Sequence, residues 1–164
     1  MSKHTPLRPP GAVHETEFMQ RCIKCTKCAQ VCPYDSIKIF HLKAGRHFGT
    51  PGIMARETPC YVCMECPPVC PTGALDNTLT DMRDVRMGLA VIDKDKCLPY
   101  MGVICRLCFD KCPLYREAIT LEDERYPVVM KEHCIGCGIC EHVCPAEEVA
   151  IRVYPRDSLK EGME

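Results

Sequence analysis

Apolar positions in this chain come in short bursts and never in a long run. Residues 36–40 alternate, with β-branched Ile37 and Ile39, and predict a short strand. Residues 53–57, 88–93, 118–122, 126–131 and 149–154 predict further short strands. Residues 72–76 read as a turn entering another strand, and 15–21 as a short helix. Residues 43–51, rich in Gly, His and Lys, predict a loop, while the polar stretch 77–86 suits helix or loop equally. The polar start, with Pro6, Pro9, Pro10 and Gly11, predicts an extended arm over 1–17, either frayed or packed along the body or a partner. Nothing approaches the ~20 apolar residues that span a bilayer.

Between the predicted strands one run recurs. Cys134, Cys137, Cys140 and Cys144, followed by Pro145, have the form C-x2-C-x2-C-x3-C-P, the ligand run of bacterial ferredoxins. Cys22, Cys25, Cys28 and Cys32 with Pro33 repeat it in full, as do Cys60, Cys63, Cys66 and Cys70 with Pro71. The third copy departs: seven residues separate Cys97 from Cys105, five more than in the other runs. Cys108 and Cys112, followed by Pro113, keep the usual steps. A longer loop still delivers Cys97 to an iron, because loop length costs stability only slowly. The alternative at this run is a lost or smaller cluster. Strand, cysteine loop, short helix and strand thus repeat every ~35–40 residues, an internal repeat of the kind that defines a fold.

Composition sharpens the picture. Of 164 residues 16 are cysteine and 14 proline, with four phenylalanines and no tryptophan, so the 46% hydrophobic content overstates the core-forming inventory. Burial alone is too thin to offset backbone entropy, and the cysteines must staple the chain. A disulfide framework belongs to secreted chains. The segment from Met1 to Pro10 has no apolar signal region, no twin arginine and no cleavage site. Zinc sites use pairs of C-x2-C without a third cysteine at the same step and a closing Cys-Pro. Iron–sulfur clusters, which take soft thiolate ligands, fit best, and 16 cysteines at four per cluster predict four [4Fe–4S] clusters with none left over. With every corner held by cysteine, no iron is open to a substrate. The chain also lacks a Gly-rich nucleotide loop, a Ser/His/Asp arrangement and a flavin signature. These features point to a carrier of electrons, not an enzyme. The net charge of −1 favours neither nucleic acid nor an anionic membrane surface as partner.

The predicted fold class is α+β, with two bacterial-type 2[4Fe–4S] ferredoxin modules in one chain. In such modules the fourth cysteine of a run ligates the other cluster. The four runs pair either sequentially or in nested fashion. Nesting is favoured, because 53–121 holds a full set of strand, run, strand, strand, run and strand, whereas no convincing strand precedes Cys22. Nesting predicts an arm over 1–17, an outer module from 18–52 and 123–154, an inner module over 53–122, and a tail over 155–164. The expected ligand sets are then Cys22, Cys25, Cys28 with Cys144; Cys134, Cys137, Cys140 with Cys32; Cys60, Cys63, Cys66 with Cys112; and Cys97, Cys105, Cys108 with Cys70. Gly136 and Gly138 permit close backbone approach to a cluster. Lys24, Lys27, Arg106 and Lys111 lie beside ligands and either tune potentials, dock an acidic partner, or are simply solvated. His133 and His142 suit surface or packing roles, and nothing marks Glu65, Asp110 or Glu141 as catalytic.

Leu7, Arg8, Pro9, Pro10, Gly11 and Ala12, with 49–51, 86–91 and 118–122, resemble the corresponding stretches of NapG-type ferredoxins along nearly the whole chain. That resemblance implies a polyferredoxin of nitrate-reductase and methylamine-utilisation systems, a group that typically carries a twin-arginine export signal. The start of this chain shows none, and it is similar to a cytoplasmic branch, the small polyferredoxin subunits of tungsten aldehyde:ferredoxin oxidoreductase complexes and class II benzoyl-CoA reductases. The branch resemblance implies a tungstopterin catalytic subunit as partner, with a flavin- and NAD-binding subunit and further copies of the chain as additional candidates. It also implies a cytoplasmic location. The alternative expectation is an independent or membrane-associated carrier moving electrons from a quinol-oxidising partner to a reductase.

Overall fold

The computed structural model describes residues 5–159, so the extremes of the expected arm and tail, 1–4 and 160–164, lie outside it. Helix α1 (Glu15–Arg21) forms where expected; its acidic first turn and basic last turn oppose the helix dipole, and it buries Phe18 completely. Helix α2 (Lys27–Gln30) follows, then strands β1 (Ile37–Ile39) and β2 (Pro51–Ile53). The second half contributes β3 (Gly88–Ile92), α3 (Leu107–Asp110), β4 (Ile119–Glu122), β5 (Tyr126–Val129), α4 (Ile139–His142) and β6 (Ile151–Pro155). Among the described residues no helix is long and apolar enough to cross a membrane.

Three antiparallel ribbons result. β1 pairs with β2, Ile37 facing Ile53; β4 pairs with β5, Ile119 facing Val129; and β3 pairs with β6, Gly88 facing Pro155 and Ile92 facing Ile151. The last pairing corrects the nested expectation. The strand entering the third run joins the strand leaving the fourth, with the β4–β5 hairpin between them, so runs three and four share one unit. In the first half the arm takes the place of the missing strand. Ala12 bridges Leu75, while Leu7 bridges Ile53 and accepts its N–H at 2.8 Å. The first two runs therefore share one unit, as the last two do.

Smaller departures have local causes. Residues 54–57 turn back instead of extending β2, because the Glu57 and Thr58 amides both donate to the Met54 carbonyl. Residues 72–76 keep only the Leu75 bridge, and 77–86 is turn with a short 3-10 stretch at Met82–Asp84. The 43–51 loop carries a 3-10 turn, Leu42–His47.

The arm is part of the body. Pro9 and Pro10 are fully buried, and Arg8 is 5% exposed. Its guanidinium donates to both Glu15 carboxylate oxygens at 2.8 and 2.6 Å, to the Thr50 hydroxyl at 2.8 Å and to the Pro51 carbonyl at 2.6 Å. It also lies 4.4 Å from the Phe18 ring centre. One apolar core, from Leu7, Phe18 and Ile37 to Ala118 and Ile135, runs through both halves. Arg56 crosses as well, donating to the carbonyls of Glu141, His142 and Cys144 at 2.8, 2.9 and 3.1 Å. These are end carbonyls of α4 and the turn beyond it, which lack helical partners and favour a cation.

Candidate metal centres

Each cysteine loop is shaped by the residues around its second cysteine. Lys24 and Thr26 flank Cys25 with φ of 58° and 62°, and Val62 and Met64 flank Cys63 with 54° and 62°. Gly136 and Gly138 flank Cys137 with 75° and 85°. Three runs therefore share one left-handed turn on either side of the middle ligand. Left-handed residues within a tight turn direct successive amides into a concavity that suits an anion, such as a thiolate-ligated cluster. Glycine adopts that conformation freely, whereas Lys24, Thr26, Val62 and Met64 carry strain of order 1–3 kcal/mol each. The third run dispenses with the pair: Ile104 is absent from the positive-φ residues and Arg106 has φ −145°. Its five extra residues fold into turns of their own, with the Met101 and Val103 amides donating to the Cys97 and Leu98 carbonyls.

Helices α2, α3 and α4 begin just past the second cysteine and carry the third cysteine inward. The second run makes turns instead, because Pro67 and Pro68 follow Cys66 and cannot donate helical hydrogen bonds.

The thiols gather in four sets. Cys22, Cys25, Cys28 and Cys70 line one cavity, with Phe18, Pro51 and Leu75. Cys60, Cys63, Cys66 and Cys32 line a second. Cys97, Cys105, Cys108 and Cys144 line a third, beside Leu98, Pro99 and Ala146. Cys134, Cys137 and Cys140 are buried together, and Cys112 acts on Cys137 and Cys140 as a charged neighbour. Each fourth cysteine thus lies beside the other run of its own half and not, as the nested sets had it, beside a run of the other half.

Burial pushes the thiols up. Cys28 and Cys97 rise to about 11, and Cys60, Cys108 and Cys137 to about 12, by desolvation first and then by the neighbouring thiols of each set. Cys66 and Cys140 are raised for the same reasons. Cys70 differs: burial pushes it up, but hydrogen bonds from Leu75, Thr72 and Ala74 outweigh that and leave it below the ordinary thiol value. Amides also reach sulfur from Ser36 to Cys32, Val62 to Cys60 and Leu75 to Cys70 at 3.4 Å, and from Ala90 to Cys134 at 3.5 Å. Clustered, mutually repelling thiolates need compensating positive charge, and a metal that displaces the protons supplies it. The donor set therefore fits [4Fe–4S] clusters.

The charged residues inside the runs divide. Arg106 is tied to Asp110 at 3.1 Å, and Lys24 lies 5.7 Å from the Phe48 ring centre; Lys27 and Lys111 are exposed. Glu141 accepts from the Val153 amide at 2.7 Å and so holds β6, and His142 Nδ1 lies 3.0 Å from the Arg56 carbonyl. Glu65 and His133 are exposed. Sequence reasoning missed Arg56 and the structural duty of Arg8, because isolated arginines carry no spacing signal.

Two family descriptions match the chain, both a 4Fe-4S dicluster domain, over residues 21–74 and 90–153. They divide it as the strands and thiols do and establish four clusters. Ferredoxin-type protein NapG of Escherichia coli (strain K12) is 45% identical over 162 residues, 91% of this chain and 70% of that protein. The methylamine utilization ferredoxin-type protein MauM of Methylorubrum extorquens is 42% identical over 92% of this chain and 73% of its own length, and MauM of Paracoccus denitrificans 41% over 92% and 72%. None of these relatives is named as a subunit of a tungsten enzyme, so the expected tungstopterin partner and its flavin- and NAD-binding companion find no support in them.

Proposed function

Because the chain belongs to the NapG/MauM-type ferredoxins, we propose that it is a non-catalytic electron carrier that takes electrons from a quinol-oxidising partner and delivers them to a reductase. The observation that carries this reading is the complete set of thiols at each centre, which leaves no iron position for a substrate. The proposed ligands are Cys22, Cys25, Cys28 and Cys70; Cys60, Cys63, Cys66 and Cys32; Cys97, Cys105, Cys108 and Cys144; and Cys134, Cys137, Cys140 and Cys112. Held by these thiolates, each cluster would supply one-electron redox chemistry with no bond made or broken. Amide-to-sulfur hydrogen bonds, burial and solvent access then set the potentials. The similarity to proteins of two different systems suits a carrier whose partners differ and whose clusters do not.

The test is anaerobic reduction of the full chain by membranes of its native host supplied with a quinol. Bleaching of the cluster absorption that stops when the membranes are omitted is expected. Reduction by soluble extract alone, with tungsten co-eluting from a tagged preparation, would overturn the quinol-side reading in favour of the tungsten complex. We propose a cytoplasmic location, decided by fractionating cells that express the tagged chain.

A further inference from the structure

The packing of the four thiol sets is not symmetrical. Cys60, Cys66 and Cys137 lie in one core with Cys22, Cys28, Cys32, Cys70 and Cys112 packed against it, so the sets of runs one and two touch the set of run four. Cys134 and Cys140 lie in a second core, against which Cys108, Cys112 and Cys144 pack. Cys97 sits in a third small core with Cys144 at its edge. No member of the Cys97 set packs into the core that holds the first two sets. The halves meet at ligand residues themselves: the Cys60 amide donates to the Cys137 carbonyl at 2.9 Å.

We propose that electrons cross the chain in one linear order: the Cys22, Cys25, Cys28, Cys70 cluster, then the Cys60 set, then the Cys134 set, then the Cys97 set. The order rests on the electron-carrier reading above and adds the route. The passage between halves runs through the Cys60–Cys137 contact, where ligand residues of the two halves bond directly, and the outermost clusters are the two ends at which different partners exchange electrons. At one end Cys25 is exposed beside Ile23, and at the other Ile104 is 88% exposed beside Cys105. A single electron moves at each step, the donor cluster oxidised and the acceptor reduced, and no proton or co-reactant is required.

Gly138 is the positioning residue for the crossing. A Cβ there would stand 2.5 Å from the Ala55 Cβ and 3.8 Å from the Pro59 Cβ, the residue before Cys60. Alanine at this point must push the two ligand loops apart, and electron transfer weakens steeply with separation.

The experiment uses the full iron-loaded chain, partly reduced, with pulsed electron paramagnetic resonance for spin coupling between clusters and flash reduction for the rate of internal equilibration. Gly138→Ala with undiminished iron is expected to weaken coupling between the Cys60-set and Cys134-set clusters and slow equilibration severalfold, while coupling within each half persists. Ala55→Gly added to Gly138→Ala removes the colliding Cβ and is expected to recover part of both losses, the left-handed φ of 85° at position 138 keeping the rest. If Gly138→Ala loses iron, Ala55→Val wedges the same contact from outside the cluster loop and is expected to give the same two losses. Unchanged coupling and rate in an iron-replete wedge variant would overturn the route, as would direct coupling between the two end clusters. Absence of reducible clusters in the parent chain would instead overturn the carrier reading itself.

Discussion

Arg8→Ala should cost far more than the loss of a surface ion pair. The Arg8 and Glu15 side chains are 6% and 10% exposed, and the guanidinium grips the carboxylate through two nitrogens. Truncation leaves the Glu15 carboxylate buried without its cation, which costs about 3–5 kcal/mol. It also strips a donor from Thr50 Oγ1 and the Pro51 carbonyl. Against a total stability of ~5–15 kcal/mol that is a large fraction. Phe18 and Pro51 line the cavity of Cys22, Cys25, Cys28 and Cys70. The iron of that cluster should therefore leave first. Replacing both partners together, Arg8→Met with Glu15→Leu, removes the charge as well as its partner and should cost less than Arg8→Ala alone. An anaerobic thermal ramp, followed by visible cluster absorption and released iron, reads both effects. An Arg8→Ala loss within about 1 kcal/mol, the range of exposed pairs, would refute the reasoning, as would a double variant less stable than the single one.

Other expectations follow from the same geometry. The variant Cys105→Ala/Cys144→Ala should lose no more iron than either single change, whereas Cys25→Ala/Cys144→Ala should lose the sum of its two; nested ligand sets would reverse that result in an iron assay. Arg56→Ala should weaken the joint between halves by about 1–2 kcal/mol, seen as faster amide exchange around α4, and unchanged exchange would deny it that role. His47 lies below its ordinary value of 6.5, through burial first and then the Arg8 charge, with Glu15 acting the other way. Because the folded state disfavours its protonation, its share of stability is full above 6.5 and is lost as pH falls through the folded value. His47→Gln should flatten that part of the stability–pH curve; an unaltered slope would show that His47 does not contribute.

How much of this was legible in the sequence depended on whether the signal was local. The cysteine steps announced the four clusters, and helix α1 and the strands around residues 37, 88, 119, 126 and 151 fell within a few residues of their expected places, whereas the strands expected over 53–57 and 72–76 did not form. Pairing was not legible. Short strands of three to five residues carry little that distinguishes one partner from another, and the arm's bridge at Ala12 stood in for the strand whose absence had argued for nesting. The left-handed turns at Gly136 and Gly138 could be anticipated from glycine. Their counterparts at Lys24, Thr26, Val62 and Met64 could not, because those residues ordinarily avoid such φ values. Arg8 and Arg56 carry no spacing signal, and only the folded chain places Glu15, Thr50 and the end of α4 against them.

The central claim is that this chain holds four [4Fe–4S] clusters that store and pass electrons one at a time. The most direct test is an anaerobic reductive titration of the full chain, with iron and sulfide measured on the same sample. Four one-electron equivalents are expected, with four irons and four sulfides for each cluster. Fewer than four equivalents in a fully loaded sample, or zinc in place of iron, would contradict it.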